Sequence, residues 1–144
     1  MITIDTNVLL RYLLDDDKLQ SKLASNLILS GEPVLITDVV LAESIWTLKG
    51  KRYGLDKDSI LKVVNSLFEE PNIFFESGQA VWRSLNDFRN AKPIKSGGKR
   101  KEADFSDALI VNKARYVADK TDSIFEGAYT FDVAAQQIPG TKKP

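Results

Sequence analysis

Residues 1–14 read MITIDTNVLLRYLL, and this stretch decides the fold class. Met1-Ile2-Thr3-Ile4 is a short, mostly apolar and β-branched run of strand length that stops at Asp5. The following TNVLLRYLL, residues 6–14, has the composition of a short apolar helix, and Asp15-Asp16-Asp17 breaks it. A buried strand running straight into a helix is the first half of a strand–helix–strand unit, which predicts a parallel sheet.

The same alternation continues outward. Asp17 or a neighbour caps a second helix running to about Leu29, and Gly31-Glu32-Pro33 turns into a second strand, Val34-Leu35-Ile36. Thr37 or Asp38 caps a helix through about Tyr53, stopped by Gly54. Asp56 caps the next helix, whose Ile60, Val63, Val64, Leu67 and Phe68 follow i, i+3, i+4, i+7, i+8. Pro71 ends it, and Ile73-Phe74-Phe75 is a third strand. Ser77 opens a helix with Val81, Leu85 and Phe88 on one face. Residues 92–101 read as a polar, basic loop, and an apolar helix covers about 103–117. Ala128-Tyr129-Thr130-Phe131 is a fourth strand ending at Asp132; a short helical segment and a Gly/Pro/Lys tail at 139–144 follow. The expectation is one α/β domain over residues 1–144, a three-layer α/β/α sandwich on a mostly parallel sheet of four to five strands.

Composition narrows the chemistry. The chain has 144 residues, 43 % hydrophobic and 28 % charged, with no cysteine and no histidine. Disulfides, thiolate-held zinc, imidazole bases and Ser-His triads are therefore excluded. Any catalysis falls to carboxylates, Lys, Tyr or hydroxyls, with a hard metal as the natural helper. No run approaches the ~18 apolar residues of a membrane helix, and no signal peptide is visible. The expected location is cytoplasmic, with no membrane partner. Twenty basic residues balance twenty acidic ones, so any affinity for a polyanion must come from local patches.

Asp5 and Asp132 each follow an apolar strand, where open parallel sheets bind ligands. Glu43 lies among Val39, Val40, Ala42, Ile45 and Trp46, and that apolar company predicts partial burial. Asp104 and Asp107 stand i, i+3 at a helix start and share a face. Each has a structural alternative: Asp5 and Asp132 as turn or N-cap residues, Asp104 as a helix cap, and the first-turn acids as partners of the helix dipole. Taken together they suggest more, because no Lys or Arg adjoins Asp5, Glu43, Asp107 or Asp132 in sequence. Carboxylates brought close together ionise jointly only with a cation among them. An all-oxygen donor set suits Mg²⁺ or Mn²⁺, which can activate water for attack on a phosphodiester.

In this order, MITIDTNVLLRYL, VVLAESIWTLKGKRYGL, ADFSDALIVNKA and YTFD resemble the PIN-domain toxins of VapC type, from Met1 to about residue 135. The resemblance implies a PIN-like fold and a metal-dependent endoribonuclease, the toxin of a type II toxin–antitoxin pair. It implies Asp5, Glu43 and Asp107 as core catalytic acids and Asp132 as a less uniform fourth. Asp5 and Asp107 would hold Mg²⁺ or Mn²⁺, with Asp104 joining directly or through water. Thr6, Asn7 and Thr130 would orient the acids. The implied partners are an RNA substrate (tRNA, rRNA or mRNA), a cognate antitoxin and a second copy of the chain. The sequence departs from the pattern at Ile110-Val111-Asn112, where many relatives have His-Leu-Ala, and in a longer stretch from Asp119 to Gly127.

Lys92, Lys95, Lys99, Arg100 and Lys101 precede the Asp104/Asp107 helix and suit RNA phosphates; a solvated, solubilising loop is the alternative. Lys49, Lys51 and Arg52 suit a helix C-terminus, and Arg11 an RNA or antitoxin contact. Trp46 and Trp82 read as core or dimer contacts. Three rivals remain: a phosphate-accepting receiver domain, disfavoured by Thr6-Asn7 after Asp5; a non-catalytic PIN-like binding module; and an RNA-processing PIN nuclease with no toxin role. No nucleotide-binding glycine motif occurs.

Overall fold

A computed structural model describes all residues, 1–144. The chain forms two compact units, Met1–Glu76 and Ser77–Pro144.

The first unit runs β1 (Ile2–Thr3), α1 (Thr6–Leu14), α2 (Lys18–Ile28), β2 (Val34–Ile36), α3 (Asp38–Lys49), α4 (Lys57–Glu69) and β3 (Ile73–Phe75). Its three strands form a parallel sheet in the order β1-β2-β3, with Ile2 opposite Val34 and Val34 opposite Ile73. Two helices connect each strand to the next, as parallel neighbours require. The helices start where the sequence places caps. Asp5 accepts the Val8 N–H at 2.9 Å, Asp17 the Gln20 N–H at 2.9 Å and Asp56 the Ser59 N–H at 2.8 Å, while Thr37 caps α3. The core contains Leu9, Ile28, Val34, Ile36, Leu41, Leu48, Ile60 and Leu67, all fully buried. Each contributes about 1.5–3 kcal/mol of burial. Helix α3 stops at Lys49 instead of Tyr53, because Gly50 caps it and residues 50–54 fold into a turn closed by Gly54 N–H to Gly50 O at 2.7 Å.

The second unit runs α5 (Gly78–Asn90), β4 (Ile94–Ser96), β5 (Lys99–Lys101), α6 (Phe105–Lys120), β6 (Ala128–Tyr129), a 3-10 turn (Ala135–Gln137) and β7 (Thr141–Lys142). Phe88 and Phe105 meet edge to face at 6.0 Å between α5 and α6. The buried Asn112 amide donates to Asp87 Oδ2 at 2.8 Å across the same pair.

Two expectations change here. The parallel sheet has three strands, not four to five, because the fourth apolar run pairs elsewhere: β6 lies parallel to β7. The expected tail is therefore partly a strand. Nor are residues 92–101 a plain loop; β4 and β5 form an antiparallel hairpin. Its tip, Gly97-Gly98, takes φ of +59° and +76°, the left-handed pair that a tight two-residue hairpin turn demands. No helix is long and apolar enough to cross a membrane.

Candidate active site

In the first unit the parallel strands end in acids. Asp5 follows β1, Asp38 follows β2 and Glu76 follows β3. Asp5 has two roles. Its Oδ1 caps α1, as the structural alternative held, and its Oδ2 has no hydrogen-bond partner in the protein. The next residue, Thr6, opens α1, and its hydroxyl donates to Glu43 Oε2 on α3 at 2.6 Å. Thus Asp5, Thr6 and Glu43 come together, and neither acid has an ion-pair partner. Asn7 makes no bond to either. It lines a cavity of about 250 Å³ between α1 and α2, with Arg11, Leu23 and Leu27.

Glu43 is exposed, contrary to the expected partial burial. Helix α3 buries Leu41, Ser44, Ile45 and Leu48, while Val39, Glu43 and Trp46 share the outer face. The apolar neighbours Val39 and Trp46 are themselves in solvent, Trp46 being 76 % exposed. Trp82 is also exposed, so neither tryptophan is a core residue of the chain.

Glu76 was not foreseen. Its carboxylate accepts the Asp38 N–H at the start of α3, where a helix dipole favours negative charge. The strand-end rule that singled out Asp5 also applies to Glu76.

In the second unit Asp107 Oδ2 accepts the Asp104 N–H at 2.7 Å, the return arm of a capping box that fixes both acids at the start of α6. Asp107 also lines a cleft of about 110 Å³ with Thr130. The Thr130 hydroxyl accepts the Asp132 N–H at 3.0 Å. Asp132 in turn uses Oδ1 to accept the Ala134 and Ala135 N–H groups at 2.8 and 3.2 Å. Thr130 therefore orients the backbone of Asp132, not its carboxylate. Neither unit by itself gathers three carboxylates in a group able to hold a metal ion. The available donors are carboxylate and hydroxyl oxygens, the set that hard divalent cations prefer.

The basic residues divide in two. Lys95, Lys99, Arg100 and Lys101 are exposed on the hairpin, Lys95 directly opposite Arg100. Arg100 meets Glu102 at 3.0 Å, an exposed pair of small worth. Arg11 is not left for a partner: it binds Asp16 Oδ1 at 2.7 Å and Gln20 Oε1 at 2.8 Å. The stretch from Asp119 to Gly127 is tied to the C-terminal segment, with Arg115 stacked on Phe125 at 5.3 Å and donating to Pro139 O at 3.0 Å.

No curated protein matches the chain. The family model for the PIN domain does, over residues 2–121. That span carries the strand-end acid Asp5, the Thr6–Glu43 pair and the Asp104/Asp107 box, and a match over so much of the chain shows that it belongs to the PIN domain family.

Proposed function

We propose that the chain is a Mg²⁺- or Mn²⁺-dependent endoribonuclease, the toxin of a type II toxin–antitoxin pair of VapC type, and that its two units act as one PIN domain. PIN domains are generally nucleases, and the family match runs across the unit boundary. The observation that carries the reading is the Thr6–Glu43 hydrogen bond beside Asp5: two acids, oriented by the protein and left without a neutralising Lys or Arg.

Asp5 and Glu43 of the first unit, with Asp107 and Asp132 of the second, are the carboxylates this reading needs. On this reading Asp5 and Asp107 would be the ion's ligands, with Asp104 assisting directly or through water. When bound, such an ion lowers the pKa of water and offsets charge on phosphate oxygens. Asp5 has Oδ2 to offer, since its cap uses only Oδ1. Glu43 Oε1, without a protein partner, accepts the proton of the attacking water while Thr6 holds Oε2. Lys95, Lys99, Arg100 and Lys101 supply phosphate contacts that position the strand without reading its sequence.

A protein partner is supported by α2, where Leu19, Leu23 and Leu27 stand exposed at i, i+4, i+8. Monomeric proteins seldom leave such stripes uncovered. The cognate antitoxin and a second copy of the chain are the partners proposed.

The test is RNA cleavage by the wild type, Asp5→Asn and Asp107→Asn, with chelator and Mn²⁺ arms. Cleavage should fall by at least about 10³-fold in either variant, a loss of about 4 kcal/mol in barrier terms. EDTA should stop the wild type and Mn²⁺ restore it. Mn²⁺ should also raise the melting temperature of the wild type more than that of Asp5→Asn. Chelator-resistant cleavage, or full activity in either variant, defeats the proposal.

A further inference from the structure

We infer that the cleft beside Asp107 seats one unpaired nucleobase of the RNA strand, and that Tyr129 and Thr141 decide which base it accepts. This rests on the RNA-cleaving reading and goes beyond it, because hairpin contacts to phosphate carry no sequence information.

The cleft, about 110 Å³, is enclosed by the start of α6, by β6 and by β7. That is small beside the roughly 300–1,000 Å³ of pockets for larger ligands, and it suits a single flat ring. Its mouth is apolar. Ile110 and Tyr129 line it and are both 62 % exposed, an aromatic and an aliphatic side chain kept in water beside a carboxylate. Two of its lining residues, Thr130 and Thr141, carry hydroxyls of opposite sense. Thr130 Oγ1 accepts the Asp132 N–H, which leaves its own proton to donate. Thr141 Oγ1 donates to Ile138 O at 2.8 Å, which leaves lone pairs to accept. One donor and one acceptor beside a stacking surface match the edge and face of a base.

A phosphate does not fit these walls. No Lys or Arg lines the cleft, and the acid Asp107 does. A base inside a duplex cannot present both edge and face, so the ligand is single-stranded or splayed out of a loop.

The test combines two readouts on the full chain. Ends generated from a randomised RNA pool are sequenced for wild type, Thr141→Val, Thr141→Ser and Tyr129→Ala. In parallel, backbone amide NMR signals of Thr130 and Thr141 are followed on titration with the four nucleosides. Wild type should cut beside a preferred base. Thr141→Val should flatten or shift that preference and Thr141→Ser restore it. Tyr129→Ala should raise KM about ten-fold, in line with the loss of one stacked base, with kcat little changed. Nucleosides should move both amides in wild type and not in Tyr129→Ala. Unchanged base preference and KM together with still amides overturn the cleft while leaving the nuclease standing. Moving amides without cleavage by wild type keep the cleft and overturn the nuclease.

Discussion

Thr6 follows Asp5 directly, and its hydroxyl holds Glu43 Oε2 at 2.6 Å across 37 positions of chain. Asp5 could be picked out from sequence because strand ends are where such sheets present ligands, but the Thr6–Glu43 partnership could not, since nothing local in the sequence couples α1 to α3. Glu43 shows the opposite error. Its apolar neighbours suggested burial, yet Val39 and Trp46 lie on the solvent side with it, because helical neighbours at i, i+3 and i+4 share a face whatever their polarity. Thr6→Val should cut kcat by about 10–100-fold with the fold intact, and Thr6→Ser should recover most of it; steady-state kinetics beside a melting curve check this. Gly140 makes a stability case. Its φ is +97°, and an added Cβ would stand 2.4 Å from Arg115 Nη2 and 3.1 Å from Val111 Cγ1. Gly140→Ala should destabilise the protein by about 1–3 kcal/mol in urea unfolding, because the backbone strain adds to the displaced Arg115 contact.

Among the elements, the hairpin was the least legible. Its sequence, IKSGGKRK over residues 94–101, contains a two-residue Gly-Gly turn between two short runs, but the runs are charged where strands are usually apolar and alternating. Charge favoured the loop reading, and the turn chemistry prevailed in the structure. The helix starts of the first unit were legible to within a residue or two wherever an Asp or Thr cap preceded an apolar period, while the end of α3 was missed by a full turn, at Lys49 instead of Tyr53. The β6–β7 pairing was hidden because β7 is two residues of Thr and Lys, with no apolar signature. The hairpin also sets Lys95 opposite Arg100, and like charges directly across a ladder oppose its formation. Lys95→Glu should raise stability by roughly 0.2–1 kcal/mol through a new cross-strand pair. The same change should weaken RNA binding and reduce its salt dependence, measured as the slope of log affinity against log salt. Undiminished affinity with an unchanged salt slope would deny the hairpin its phosphate role.

For the molecule as a whole, the absence of histidine and cysteine leaves no side chain that ordinarily titrates between about pH 5 and 8, so stability should be nearly flat there. The edges differ. The Arg11 hydrogen bond holds Asp16 below its usual 3.8, and the Ser59 hydrogen bonds do the same for Asp56. Both folded-state values lie below the unfolded ones, so their stabilisation is present above pH 3.8 and is lost as pH falls through the folded values. Tyr12 has the opposite sign. Burial and then Glu70 raise it above 10.0, so its contribution holds below that pH and disappears as pH rises through the folded value. Melting temperature against pH should show a plateau with an acid shoulder, and Asp56→Ala should shrink the shoulder. An unchanged acid limb in that variant would show that the cap contributes nothing to folding.

The hairpin tip has one more consequence. Lys99, Arg100 and Lys101 stand in solvent just after two glycines, between α5 and α6, which grip each other through Phe88, Phe105, Asp87 and Asn112. A trypsin-like protease therefore meets scissile bonds there whose cleavage severs the arm but leaves the two helices clasped. A polyanion lying along the arm shields those bonds, so the nicking rate becomes an unlabelled gauge of occupancy, read from two bands on a gel.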